Sequence, residues 1–207
     1  VYANVNNKII TTQEVLESLK SSFDKYRQEG LEIKLEGEEE QNERMFKEMT
    51  FAFFISISLI FITLLLMFNS FSHTFMILSI IPFSVLGVIL GHILMGLNLS
   101  LPSLIGITGL AGVVINDAIV MLDFIRKTKS LEEMIARAIL RLRPVLITSI
   151  TTFLGLSTLI FYAQGQAKIL QPIAISLGFG LLWGTVLTLF YLPALFAVFN
   201  KFTRNKK

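Results

Sequence analysis

Five apolar segments, at about 51–68, 75–96, 102–125, 144–163 and 170–199, set the first limit on what this chain can become. Each is close to the ~20 residues that a helix rising ~1.5 Å per residue needs to cross ~30 Å of hydrocarbon. Backbone in lipid must satisfy its own amides and carbonyls, so segments of this kind read as transmembrane helices. Composition agrees: 53% of the 207 residues are hydrophobic, 18 are Phe, only 16% are charged, and mean hydropathy is +0.68. That balance is far from that of a soluble enzyme.

Charge divides the chain differently. Residues 1–50 carry seven Lys/Arg against 11 Asp/Glu, and the remainder carries 11 against four. In the first part "VYANV" alternates like a strand, and "LEIKLEGE" sets Leu31, Ile33 and Leu35 against charged neighbours. Between them "TTQEVLESLKSSFDKYRQEG" puts Val15, Leu16, Leu19, Phe23 and Tyr26 on one helical stripe. Thr11 and Glu14 have capping-box spacing, and Gly30 supplies a stop. A strand-helix-strand unit this small cannot bury its own core. The expected organisation is therefore a β-α-β piece over 1–37 that completes a sheet elsewhere, a connecting helix over 38–50, a five-helix transmembrane domain over 51–200 and a basic tail over 201–207. The chain opens on Val1, without a basic stretch before an apolar one, so no signal peptide is read and a longer parent protein is expected.

The basic residues predict an orientation. Residues 126–143 hold six Lys/Arg against two Glu, and the tail "KFTRNKK" holds four against none. An even number of spans separates these stretches, so the positive-inside rule places both, with the C-terminus, in the cytoplasm and the acidic N-terminal part outside. Ser130 and Glu133 have capping-box spacing at the start of "SLEEMIARAIL", predicting an amphipathic helix at about 130–141 along the cytoplasmic interface. Pro144 then suits the first turn of the next span. With no Cys and no metal-ligand cluster, nucleophile elbow, phosphate loop or nucleic-acid patch, neither a cofactor nor a metal nor enzymatic chemistry is expected. Anionic lipid accounts for the basic tail.

One run breaks the apolar pattern. "GVVINDAIVMLDF" carries Asn116, Asp117 and Asp123 inside the third span. Asp117 lies nine residues from Arg126, roughly 13 Å inside the membrane at ~1.5 Å per residue. An ionised acid there costs at least ~2.5 kcal/mol, so it should face protein or water and can change charge at accessible pH. Two roles fit: a proton-relay carboxylate, or a neutral acid gluing helices by hydrogen bonds. Asp123 returns to the face of Asn116 and stands three residues from Arg126, which favours a helix-end ion pair over a second proton carrier.

In the fourth span Thr148, Thr151, Thr152 and Gly155 form a small polar face, suited to helix packing or to donating hydrogen bonds to a carboxylate. With the span starting near Pro144, Thr151 or Thr152 matches the depth of Asp117 better than Thr148. "GVILG" at 87–91 and "GLLWG" at 180–184 are small-xxx-small patterns for close helix contact. His92 falls near the outer end of its span, as a weak proton-path candidate or an interfacial hydrogen-bonding group.

"GLAGVVINDAIVMLDFIRK", then "RLRPVLITSITTFLGL", then "QPIAISLGFGLLWGTVLTLFYLPALF", in that order and spacing, resemble the C-terminal half of resistance-nodulation-division (RND) efflux transporters. The resemblance covers essentially the whole chain. It implies a multi-pass bacterial inner-membrane permease, a proton antiporter exporting small molecules, of which these would be the eighth to twelfth spans after a piece of a ferredoxin-like porter subdomain. It also implies a homotrimer working with a periplasmic adaptor and an outer-membrane channel, and an N-terminal half that supplies two further acids. By the same resemblance the proton relay falls on Asn116, Asp117, Thr148 and Arg141, with Asp123, Thr151 and Thr152 as weaker candidates. The well-known drug pumps carry lysine where this chain has Asn116. An alternative is a SecF-like subunit of a protein-translocation machinery, which shares the five spans and an Asn-Asp pair; "RLRPVLITS" and "LTLFYLPALF" look more like efflux permeases.

Overall fold

In this computed structural model the described residues are 38–204, with Val15, Ser18, Leu19, Ser22 and Phe23 before them. Those five lie within the helix predicted at 11–30 and are helical. The strands expected on either side, the Thr11–Glu14 cap and the Gly30 stop lie outside the described residues. The chain divides into two compact units, 1–48 and 49–207.

Described residues form α1 Glu38–Phe68, α2 Phe71–Leu78, α3 Ile80–Met95, α4 Leu101–Ile125, α5 Leu131–Tyr162, α6 Gln171–Val186 and α7 Leu192–Arg204. A 3-10 turn, Gly165–Ile169, precedes α6, and a π-helical turn, Leu187–Tyr191, joins α6 to α7. By length and composition five stretches can cross a membrane: Arg44–Phe68, Phe71–Met95, Leu101–Ile125, Leu131–Tyr162 and Gln171–Asn200. The chain is a mainly helical, multi-pass membrane protein. The spans run alternately up and down, so the turn at 69–70, the link at 126–130 and the end of the fifth span share one end. We call it the basic end, after Arg126, Lys127 and Lys129.

Proline marks where helices begin. Pro82, Pro102, Pro172 and Pro193 each sit in the first turn of α3, α4, α6 and α7; at Pro102 and Pro172, which follow a link or a 3-10 turn, the missing amide hydrogen costs nothing. Pro144 does not follow the expectation of a fresh start: it lies inside α5, one continuous helix of 32 residues. The good helix formers of "IARAILRLR" before it carry the helix through a single lost hydrogen bond. At the start of α5 the Ser130 hydroxyl accepts the Glu133 amide at 3.2 Å, while Glu133 Oε2 reaches back to the Lys129 amide at 3.1 Å.

The fifth span is the centre of the bundle. α6 packs against α3, α4 and α5 at once, and its glycines are why it can. Side chains of α4 occupy the space beside Gly180 and Gly184, through Leu110 and Val114. In return Gly87 and Gly91 of α3 seat Trp183 and Phe179 of α6; a Cβ built on Gly91 would stand 2.5 Å from that of Phe179. Small residues let apolar backbones approach closely, and dispersion contacts then hold helices that lipid would not drive together. Polar links add to this: Ser149 and Thr185 share a buried 2.6 Å hydrogen bond between α5 and α6. The first span is peripheral, touching the core with Leu64 and Phe68 while Phe51, Phe54, Leu59 and Leu66 face outward.

Candidate functional site

α4 presents two stripes. Val114, Ala118 and Met121 are buried against the bundle, whereas Gly109, Gly112, Val113 and Asn116 are exposed. Asp117 sits on the boundary between them, half-buried, and has no hydrogen-bond or ion-pair partner among the described residues. It is the one acid deep within an apolar stretch, since Asp123 lies two residues from the end of α4.

The neighbouring face of α5 is open too. Thr148, Thr151, Thr152 and Gly155 are all exposed, and a Cβ at Gly155 or at Gly112 would meet nothing within 4 Å. Each threonine turns its hydroxyl back onto its own helix: Thr148 to Pro144 O at 3.0 Å, Thr151 to Ile147 O at 2.8 Å, Thr152 to Thr148 O at 2.8 Å. Their oxygens still have lone pairs, and their protons are engaged only by local carbonyls from which they can rotate.

Arg141 is placed away from Asp117. Its guanidinium lies 3.9 Å above the Phe124 ring, and its buried Nε has no hydrogen-bond partner among the described residues. Arg137 donates from Nη1 to the Phe124 carbonyl at 3.4 Å and pairs with Glu133 at 2.8 Å. Both arginines thus fasten the start of α5 to the end of α4 at the basic end. Seven residues inward from Phe124 and from Arg141, about 10.5 Å along each antiparallel helix at ~1.5 Å per residue, lie Asp117 and Thr148. Thr148 is accordingly closer in depth to Asp117 than Thr151 or Thr152, the reverse of the sequence expectation, because α5 runs unbroken through Pro144.

Asp123 is held by Arg126, with Nε and Nη2 each 2.8 Å from Oδ1, and Arg126 also lies over the Phe68 ring at 5.1 Å. His92 is 2% exposed and bonded through both ring nitrogens, to Val88 O at 3.0 Å and Ser103 Oγ at 2.9 Å. A cavity of about 380 Å³, lined by Thr128–Met134 residues and by Ala197, Val198 and Asn200, lies at the basic end rather than beside Asp117. Sequence reasoning missed Ser149 and Thr185, hidden in runs of similar small polar residues, and the use of Phe124 as the seat for Arg141.

An acid at the edge of an open, glycine- and threonine-bearing face of five spans is a pattern that comparison with known proteins can place. A family model described as the AcrB/AcrD/AcrF family matches residues 1–200. The chain belongs to that family. It is an RND efflux permease sequence, similar to multidrug resistance protein MdtC of Erwinia tasmaniensis, 32% identical over 158 residues. MdtC of Pantoea ananatis is likewise 32% identical and that of Erwinia amylovora 31%. Each match takes in 73% of this chain and 15% of the relative's length. Two crystal forms of a heavy metal efflux pump share the fold, with TM-scores of 0.75 and 0.79 at 25% and 26% identity, covering 92% of this chain and 19% and 20% of theirs. Known relatives are thus efflux permeases, and the translocation-subunit alternative gains no support from them.

Proposed function

We propose that this RND sequence forms the C-terminal membrane portion of a proton-driven pump that exports small molecules, with Asp117 as its proton-binding group. One observation carries the reading: a half-buried carboxylate on α4, unpaired among the described residues, stands about level with Thr148 of α5, and both helices expose small or polar residues there. A buried acid is retained against its insertion cost where its change of charge is used. Protonation removes the charge and favours a closed, packed face; deprotonation favours a hydrated one, so proton binding biases a two-state arrangement of spans. Thr148 is the nearest donor in depth and Asn116 the adjacent amide, in place of a fixed ammonium. Arg141 serves this site from a distance, by holding the ends of α4 and α5 together over Phe124. Asp123, paired with Arg126, and Thr151 and Thr152, further along α5, stand outside the proposed centre.

The remaining assignments follow from family membership. The basic end lies in the cytoplasm of a bacterial inner membrane, the open face receives the N-terminal half of the same transporter, and the pump is a homotrimer with periplasmic adaptor and outer-membrane channel partners. The test is Asp117→Asn, which keeps shape and removes the titratable proton. Export by the intact pump should fall about tenfold or more, the equivalent of ~1.4 kcal/mol on the rate-limiting barrier, at equal membrane abundance. Unchanged export at equal abundance would remove Asp117 from the mechanism.

A further inference from the structure

Two adjacent spans are interrupted, and one side chain bridges the interruptions. The regular hydrogen-bond ladder of the second span lapses at Ser79, between α2 and α3, where the backbone stays helical at φ −62° and ψ −21°. Pro82 explains the break: its nitrogen has no hydrogen for the Leu78 carbonyl four residues back, and its ring crowds that carbonyl. The fifth span widens into the π turn at Leu187–Tyr191, where the Leu192 amide donates to the Leu187 carbonyl five residues back. Pro193 follows at once and deprives the Leu189 carbonyl of its α-helical donor. Tyr191 Oη lies 3.3 Å from Ser79 Oγ. Ser79 gives its single hydroxyl proton to Met76 O at 2.7 Å, so the tyrosine is the donor between them. The Tyr191 ring also packs on Phe83, with centroids 5.3 Å apart.

The segments on either side of these breaks are held differently. Away from the basic end, α3 and α6 are packed tightly together, with Gly87 against Trp183 and Gly91 against Phe179. Toward the basic end, α2 and α7 are tied to each other by the stacked rings of His73 and Phe196, 5.9 Å apart and 25° from parallel. Both of these short arms also pack against α4, the helix that carries Asp117.

We propose that the Ser79 break and the π turn are the two halves of one hinge, at which α2 and α7 move together against the fixed α3/α6 pair, and that Tyr191 is the positioning residue that latches it. Backbone already freed from the regular helical ladder absorbs a bend at little cost, and π turns inside helices recur at kinks and functional sites. Two such sites at one depth, cross-linked by a single hydrogen bond, give the bundle a discrete element with two settings. The hinge goes beyond the proton-binding role of Asp117 and is tested without measuring transport.

The chain contains no cysteine, so spin-label pairs can be introduced cleanly here in an intact pump whose other cysteines have been replaced. Ser72 and Leu94, both exposed, span the Ser79 break; Phe51 and Leu66, also exposed, report on the unbroken α1. The Ser72–Leu94 distance distribution should be at least about twofold wider than the Phe51–Leu66 one, as a two-setting joint requires. Pro82→Ala combined with Pro193→Ala should narrow it toward the control. Tyr191→Phe keeps the ring and loses only the hydrogen bond; it should shift the balance of distances without lowering the melting temperature by more than ~2 °C. Equal widths for the two wild-type pairs would overturn the hinge, as would proline variants that leave the width unchanged. If the proline variants do not fold, Tyr191→Phe decides alone: an unaltered distribution removes the latch. Neither failure touches the case for Asp117, which rests on export.

Discussion

His92 shows how a polar side chain inside a span can tie two helices together. Val88 O can only accept, so Nδ1 donates to it, and Nε2 bonds the Ser103 hydroxyl. Ser103 Oγ in turn accepts the Ser100 amide at 3.1 Å, which ties the end of α3 to the capped start of α4. Both ring nitrogens are used, so the imidazole clasps α3 to α4. His92→Ala removes both ring bonds and leaves a void where the imidazole was buried, and should cost about 1–3 kcal/mol. Thermal unfolding of the detergent-solubilised chain measures this. Asn116→Ala is the contrasting case: its side chain is exposed, and the same measurement should register under ~0.5 kcal/mol. A loss near zero for His92→Ala would mean that the clasp between α3 and α4 is not formed.

Among the elements, what was legible in the sequence was local, and what was not depends on neighbours. Span positions follow from apolar length, and the glycine patterns at 87–91 and 180–184 correctly announced close contacts, because neither needs knowledge of the partner. The Asp123–Arg126 pair is equally local, set by a three-residue spacing. Proline was visible but its effect was not: Pro82 follows a lapse in the ladder of its span, Pro193 accompanies a π turn, and Pro144 is absorbed into a continuous run of helix formers. The difference lies in tertiary contacts, such as the Tyr191–Ser79 bond, that no spacing reveals. Arg141 illustrates the same limit, since its distance from Asp117 is set by where Phe124 stands. A pair of glycine substitutions separates the two kinds of face. Gly91→Ala must push Phe179 aside and should destabilise the chain by about 1–3 kcal/mol. Gly155→Ala meets no atom within 4 Å and should stabilise α5 by about 0.5–1 kcal/mol, the ordinary gain in helix propensity. Thermal unfolding of both variants tests the packing directly, and the same sign for both would contradict it.

At the scale of the whole molecule, the buried and open faces make a further demand. The chain spans about 15% of the length of its MdtC relatives, and the α4/α5 face that carries Asp117 is left uncovered within it. Glycine and threonine on a lipid-exposed surface make a shallow, polar groove that packs poorly against acyl chains, whereas a helix with small or polar residues fills it with close contacts. The face is therefore expected to bind another part of the pump, and the 207-residue chain reconstituted alone should not transport. Expressing the chain together with the separately encoded remainder of its pump should restore both co-purification and export. Gly155→Leu, placed in open space, should leave the chain's own melting point within ~2 °C while reducing co-purification about tenfold or more, ~1.4 kcal/mol of association. Leu66→Phe, on the outward face of the peripheral first span, should change neither. Retained co-purification with Gly155→Leu would show that the partner docks elsewhere, and the open face would then have to be assigned to lipid.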